Sequence, residues 1–476
     1  MTSFAALTPL LIIVGAALVV LLLEAFIKRE NKNFLAFVSL FFLVSCAVVC
    51  LRSWNLALSY FDGQLRLDSL ALFFTCLVLV GGVFVILIGL KYNTLQNIDH
   101  GEFCGLLLLA ASGLMIMVSS LNFIVIFLGL EVLSVSSYAL AGLKRKDEKS
   151  SEAAIKYFLM GCFAGAFLVF GLALLFGAAH SLTIPEIVSF FSSPSNSQIL
   201  GLVGLGLVII GFAFKIALVP FHMWTPDVYE GAPTPVAAFF SVGPKIAGFA
   251  VLLRLLVPYW NKGFESGKIF SFLWALAALT MLVGSLIALR QKNLKRLLAY
   301  SSIANAGYML IAVLAGDGTG LVFFLTVYLF MSIGAFGSLL ALNKKGQEYG
   351  ELDDFAGIGF KYPWIGAIFA VFLISLAGFP PTGGFLAKFY VFVGAVRQGL
   401  TPLVIIAVLA SLISAFYYLR IIVYMYMREP GREIEIEMEN PALFLALFIC
   451  LYGVLQLGLF PGNILVIIKQ AVTALF

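Results

Sequence analysis

The sequence predicts an all-α polytopic membrane protein with about fourteen transmembrane helices, and three observations predict it. Hydrophobic residues make up 62% of the 476 residues and charged residues 11%, against about 25% charged in soluble domains. Apolar runs long enough to span a bilayer recur from one end of the chain to the other. The connections between them alternate in Lys/Arg content. A spanning bundle of this length is normally one unit, so 1–476 is expected to form a single membrane domain.

The run 7–27 opens the series. Met1 to Pro9 carry no Lys or Arg, so this run is expected to be a first helix and not a cleaved signal. Spans 34–51 and 68–90 follow and complete an N-terminal group of three helices within 1–100. Five more come next, 103–119, 121–142, 152–179, 200–229 and 234–257, and then another five, 270–289, 297–315, 319–343, 361–396 and 402–427. A last span, 441–460, lies in the C-terminal segment 441–476. Runs 200–229 and 361–396 are too long for plain helices. Each has breakers in the middle, Leu218-Val219-Pro220-Phe221 in one and Gly378-Phe379-Pro380-Pro381-Thr382-Gly383-Gly384 in the other, so both are expected to be discontinuous. The broken helix is the fourth of each five. An odd number of crossings ends on the opposite side, so 103–257 and 270–427 are expected to be inverted repeats with their broken helices near the midplane.

The charges of the connections fit this count. One alternating set holds Lys28, Arg29, Lys32, Lys91, the cluster Lys144-Arg145-Lys146 with Lys149, Arg290, Lys292, Lys295, Arg296, Lys344, Lys345, Lys361, Arg428 and Arg432. The other holds Arg52, Arg66, Lys262, Lys268 and Arg397. The positive-inside rule places the first set in the cytoplasm and both termini on the outer side.

Several functions find no residues here. The six cysteines lie in apolar spans without CxxC spacing or a neighbouring His, so they are expected to be small buried side chains and not a metal site or disulfides. No glycine-rich nucleotide fingerprint opens a βα unit, so a redox cofactor would belong to a partner. His100 and His180 are expected in solvated connections, and the aromatic content mostly against lipid. Glu433, Glu435, Glu437 and Glu439 alternate with Ile434, Ile436 and Met438, which suggests a segment with one apolar face.

What remains is charge inside the spans: Lys215, Lys245, Lys388 and Glu131. An ionisable group near the bilayer centre costs about 3 kcal/mol on insertion scales, and such groups mark ion or proton paths. A lysine desolvated in an apolar site loses its proton more readily than one in water, and a neighbouring carboxylate opposes that loss. Glu131, in IVIFLGLEVLSVSSYAL, is the candidate partner of Lys215. Lys245 is flanked by Gly243, Pro244 and Gly248, which loosen the backbone. His222 follows the first break in VPFHMW and has the titration range for a relay. Lys156 lies one turn into its span beside Glu152, where a surface ion pair is the competing reading. For Lys388 the competing role is satisfying orphan helix carbonyls, for the other lysines snorkelling, and for Glu131 a helix–helix hydrogen bond.

The stretch KIALVPFHMWTPDVYEGAPTPVAAFFSVGPKIAGF, Lys215 to Phe249, resembles the antiporter-like proton-pumping subunits of respiratory complex I and their relatives in cation/proton antiporters and membrane hydrogenases. LLAYSSIANAGYML and SLAGFPPTGGFLAKFYVF extend the resemblance through essentially the whole chain. TPDVYEGAPTPV and the lysine in GFLAKFY are most similar to the subunit N branch. That resemblance implies Glu131 and Lys215 as a modulating ion pair, Lys245 as central relay, Lys388 as terminal proton site, His222 as a connecting residue and Lys156 as a further lysine of the path. It implies a non-redox subunit of a proton-translocating NADH:quinone oxidoreductase in a bacterial inner membrane. FMN, iron–sulfur clusters and quinone would sit in other subunits. The implied partners are the antiporter-like subunits M and L, the small subunits K and J, and through them the peripheral redox arm, with protons as cargo and no nucleic acid. The same resemblance leaves a Na⁺ or K⁺/proton antiporter subunit, or a membrane-hydrogenase subunit, as the alternative.

Overall fold

The computed structural model describes residues 7–27, 32–54, 56, 58–61, 63–192, 197–260, 267–342, 348–429 and 440–475. Among them, thirteen helices are long and apolar enough to cross a membrane. Helices α1 (Thr8–Phe26), α2 (Asn33–Arg52) and α3 (Ser69–Leu95) come first, with an antiparallel hairpin, β1 (Leu58–Tyr60) and β2 (Leu65–Leu67), between the last two. The first set of five spans consists of α4 (His100–Ser119), α5 (Phe123–Ala141), α6 (Glu148–Ala179), a pair α8 (Gln198–Lys215) and α9 (Trp224–Gly231) broken as expected, and α10 (Thr234–Tyr259); the short helix α7 (Ile184–Ser192) precedes α8. The second set is α11 (Lys268–Ala288), α12 (Leu294–Leu314), α13 (Gly318–Leu340), the broken pair α15 (Pro363–Ala377) and α16 (Gly383–Arg397), and α17 (Thr401–Met427), with the one-turn helix α14 (Ile358–Lys361) before α15. Helices α18 (Pro441–Leu459) and α19 (Gly462–Val472) end the chain. The hairpin, α7, α14 and α19 were outside the expected elements because each is shorter than a bilayer-length apolar run.

Polar caps set where several spans begin. Asp68, Asn122, Asp147, Asn293 and Asp317 each accept a bond from a backbone N–H two or three residues on, at 2.8–3.1 Å, which satisfies a donor that the first turn leaves free. The two five-span sets also open alike. Helix α4 lies along α5 so closely that a Cβ at Gly113 would stand 2.5 Å from the Gly129 carbonyl oxygen. Helix α11 lies along α12 the same way, with a Cβ at Gly284 only 2.8 Å from the Ala304 nitrogen. Such backbone contact is the usual way in which membrane helices gain packing.

The apolar windows of α10 and α12 are wholly buried and that of α13 is 94% buried, whereas 22% of the α6 window is buried. The centre of the bundle is therefore α10, α12 and α13, with α6 on the rim. Phe158, Phe163 and Phe170 of α6 face outward, as expected of aromatic residues against lipid. Tyr157, Tyr229, Tyr308, Tyr328, Tyr417 and Tyr418 depart from that expectation, since all six are fully buried. His100 also departs from it: it is buried at the start of α4, a ring nitrogen 3.2 Å from the Thr94 hydroxyl. His180 ends α6 in an exposed left-handed turn. Cys46, Cys50, Cys104 and Cys450 are buried and Cys76 is partly so, but Cys162 lies on the exposed face of α6. The alternating Glu433 to Glu439 segment lies outside the described residues.

Candidate functional site: a line of buried lysines

Each break is a place where backbone leaves the helix and must find other partners. At the first, which contains the cis peptide Val219–Pro220, the Val219 N–H donates to the Thr280 hydroxyl of α11 at 3.0 Å and the Trp224 indole donates to the Phe214 carbonyl at 3.0 Å. At the second, with a cis peptide at Pro380–Pro381, the Gly384 N–H donates to the Ser375 hydroxyl at 3.2 Å. A Cβ at position 384 would fall 1.8 Å from the Ser375 carbonyl oxygen, so only glycine lets α16 start this close to α15.

Lys215 is the last residue of α8 and is 3% exposed. Its ammonium donates to the Ser134 hydroxyl of α5 at 2.9 Å and to the Tyr157 hydroxyl of α6 at 3.3 Å, and it lies 5.1 Å from the centre of the Tyr157 ring. Lys388 sits in α16, yet its ammonium reaches back to the end of α15 and donates to the carbonyls of Leu376 and Ala377 at 3.1 and 2.9 Å, and to the Ser411 hydroxyl at 3.0 Å. Both cations thus stand at the C-terminal end of the first piece of a broken span, the negative end of its dipole. For Lys388, the geometry is that of a cation satisfying orphan helix carbonyls.

Lys245, in the buried centre of α10, is 2% exposed and donates to the Ser302 hydroxyl of α12 at 2.6 Å. Helix α12 then continues as a polar stripe. Ser301 hydrogen-bonds the Tyr418 hydroxyl of α17, the Asn305 amide donates to the Ser301 carbonyl at 2.9 Å, and the Tyr308 ring lies 5.0 Å from the Lys388 ammonium. Ser301, Asn305 and Tyr308 are spaced i, i+4, i+7 and share one face. Along it, the Asn305 carbonyl oxygen and the hydroxyls of Tyr308, Tyr417 and Ser285 are buried without a protein partner among the described residues. Buried polar atoms of this kind are usually satisfied by water. Between Lys215 and Lys245 the contacts are more aromatic: Tyr157 stacks on Trp224 with ring centres 4.4 Å apart and packs on Phe240 of α10 at 5.5 Å.

The remaining expected residues are placed differently. Glu131 and Lys215 form no ion pair in this structure; Ser134, one turn beyond Glu131 on α5, takes the ammonium instead. Glu131 is half-buried against α6, with Gly165 beside it. Lys156 stands apart from the other lysines. It pairs with Glu152 at 2.6 Å and with Asp227 at 2.7 Å, with its side chain 41% exposed. Asp227 and Glu230 are also held by Arg296 at 2.6 and 2.9 Å, so Lys156 belongs to an ion-pair network at the Lys/Arg-rich end of the bundle. His222 is buried at the first break, and none of the three lysines donates to it. Sequence reasoning missed Arg254 of α10, buried against Asp68, and the α12 stripe. The signal for the stripe was present in SSIANAGY, a run of small polar residues within an apolar span.

Three comparisons place the chain among known proteins. Residues 120–414 match the family described as NADH:quinone oxidoreductase/Mrp antiporter, transmembrane. NADH-quinone oxidoreductase subunit N of Trichlorobacter lovleyi is 43% identical over 467 residues, covering 97% of this chain and 95% of that one. Among solved structures, a chain of respiratory complex I from Thermus thermophilus superposes with a TM-score of 0.83 at 34% identity, over 96% of this chain and 98% of that one. A chain of the Mrp complex from a Dietzia species shares the fold at a TM-score of 0.83 and 20% identity, over 100% of this chain and 98% of that one.

Proposed function

This chain belongs to the membrane family of NADH:quinone oxidoreductase and Mrp antiporter subunits, in its subunit N branch, and on that premise we propose that it translocates protons along its buried lysines. The electron transfer that drives it takes place in partner subunits that hold the FMN, iron–sulfur clusters and quinone. The observation that carries the reading is the set of buried polar groups that α12 places between the two lysines: Ser302 on the Lys245 ammonium, Ser301 on the Tyr418 hydroxyl, Asn305 on the Ser301 carbonyl, and the Tyr308 ring 5.0 Å from the Lys388 ammonium.

Lys215, Lys245 and Lys388 donate to hydroxyls or carbonyls and, among the described residues, to no carboxylate. A desolvated ammonium without a counter-ion gives up its proton at modest cost, and the hydroxyls and waters beside it carry that proton on. Protonation of one lysine disfavours it at the next by charge repulsion in a weakly polarisable interior, so occupancy steps along the line. Glu131 tunes Lys215 from beyond Ser134 by its field and not by contact. The Lys/Arg-rich connections lie in the cytoplasm and the termini outside, in a bacterial inner membrane, with the antiporter-like subunits M and L and the small subunits K and J as neighbours.

The test uses the intact assembly sealed into vesicles and driven by NADH and quinone. Lys245→Ala is expected to assemble normally and to lower proton transport about a hundredfold or more, the range for losing a proton-transfer group. Normal transport by that variant would sink the reading. Transport that requires Na⁺ or K⁺ and proceeds without electron transfer would instead favour the antiporter alternative.

A further inference from the structure

Three cysteines meet between α2 and α3, toward the end of the bundle opposite the Lys/Arg cluster. Cys46 and Cys50 lie one turn apart on α2, and Cys76 lies two turns into α3. The Cys50 thiol is in side-chain hydrogen-bonding contact with both of the others, while Cys46 donates to the Pro9 carbonyl of α1 at 3.3 Å. A close approach further along the two helices fixes their level. A Cβ at Gly82 of α3 would stand 3.4 Å from a Leu43 methyl of α2. Cys50 follows Leu43 by about 10 Å along α2, and Cys76 precedes Gly82 by about 9 Å along α3, so in this antiparallel pair the two cysteines come level. Cys46 and Cys50 project the same way from one helix and cannot be bridged without distorting it. Cys50 and Cys76 face each other from two helices, as a disulfide requires.

The surroundings of Cys76 say what can reach the pair. Cys50 is buried, but Cys76 is only partly so. Between Leu70 and Leu90 of α3, the partly exposed residues are Cys76, Val80, Val83, Leu87 and Leu90, and the rest are buried. Their spacing, i, i+4, i+7, i+11 and i+14, makes one narrow stripe along the helix. The other four members are aliphatic, and a stripe of this kind on a spanning helix faces hydrocarbon. A reagent that reaches Cys76 along it must dissolve in lipid. Among two-electron oxidants, quinones meet that condition.

We propose that Cys50 and Cys76 are a redox modification site, a thiol pair that a lipid-soluble quinone oxidises to a disulfide joining α2 to α3. The Cys76 sulfur adds to the quinone ring, and its proton goes to a quinone oxygen. The Cys50 sulfur then attacks the Cys76 sulfur. The S–S bond forms, the C–S bond to the ring breaks, and the electron pair with the Cys50 proton leaves on the ring, which departs as quinol. Both sulfurs are oxidised and one quinone is reduced by two electrons. Which form is present then follows the redox state of the membrane around the helix. The lack of CxxC spacing has no bearing on a pair that two helices contribute. The site lies apart from Lys215, Lys245 and Lys388 and does not depend on the lysine-line reading.

The experiment treats the intact assembly, in membrane vesicles without NADH, with a short-chain quinone. The protein is then unfolded in the presence of an alkylating reagent, and the alkylated cysteines of this chain are identified by peptide mass spectrometry. All six cysteines are expected to be alkylated before treatment. After it, Cys50 and Cys76 are expected to be lost together and to equal extent, with recovery of a peptide pair linked through them and return of both thiols on reduction with dithiothreitol. The parent protein carries the whole readout, so no variant has to fold. Cys76→Ala, as a second measurement, is expected to keep Cys50 alkylatable after the same treatment. Six free thiols after treatment overturn the site, as does a quinone adduct left on Cys76 with Cys50 still free. A link between Cys46 and Cys50 in the parent overturns the assigned pair.

Discussion

Arg254 and Asp68 form a bidentate ion pair, with bonds of 2.9 and 2.6 Å, between two side chains that are 4% and 2% exposed. Asp68 also caps α3, and Arg254 also donates to the Val118 carbonyl at the end of α4 at 3.2 Å. One contact thus ties α3, α4 and α10 together at the end opposite the Lys/Arg cluster.

Removing one partner leaves the other charge buried and uncompensated. Asp68→Ala is expected to destabilise by about 3–5 kcal/mol, with a further ~1 kcal/mol from the lost cap. Replacing both residues with apolar ones of similar volume is expected to recover most of the first term. Thermal unfolding of the detergent-solubilised chain checks both. A double variant as unstable as the single one would show that the pair does more than neutralise itself.

The close approach of α15 and α16 gives a second expectation. Gly384→Ala must displace α16, because the new methyl would overlap the Ser375 carbonyl. The displacement carries Lys388 away from the carbonyls of Leu376 and Ala377. Transport is expected to fall at least about tenfold while Gly15→Ala, which meets nothing within 4 Å, behaves as the parent. Equal transport by the two variants would mean that the position of Lys388 tolerates a shift of this size.

A third expectation concerns the α12 stripe. Tyr418→Phe removes the bond to Ser301 and keeps the ring packed against Tyr417. Assembly is expected to be normal and transport to fall by about two orders of magnitude or more, the range for losing one proton-transfer group. The readout is transport normalised to the amount of assembled complex, and an unchanged ratio would move the path off this face.

Both breaks were legible because Pro and Gly act on their own backbone. The Lys/Arg asymmetry likewise depends on composition alone, and the span limits moved by only a few residues at most ends, with α6 starting at Glu148 and α3 running on to Leu95. Contacts between helices were not legible. Nothing in the spacing of α5 and α8 says that Ser134, and not Glu131, meets the Lys215 ammonium, since that depends on how far each helix is rotated. Arg254 was missed for the same reason: a charge near a span end looks like a snorkelling residue until its partner, Asp68 of another helix, is placed beside it. The hairpin and α19 were missed because hydropathy windows are tuned to the bilayer thickness.

The last expectation is a pH dependence. Glu348 lies in the connection after α13, where burial pushes its carboxyl up and the Lys295 and Lys144 cations, with bonds from Lys144 and Tyr92, more than offset this. The net effect holds the group below the ordinary glutamate value, near 4.3. A carboxyl whose folded-state value is depressed contributes stability that is fully present above the unfolded value and is lost as the pH falls through the folded one. Glu348→Gln should therefore unfold at a lower temperature than the parent at pH 7. The difference should shrink once the pH drops below about 4, as the parent carboxyl protonates and the two side chains become alike in charge. Thermal unfolding of both proteins between neutral and acid pH checks this. A difference that persists unchanged at acid pH would mean that the carboxylate charge contributes nothing, and that the Tyr92 bond and packing account for the whole effect.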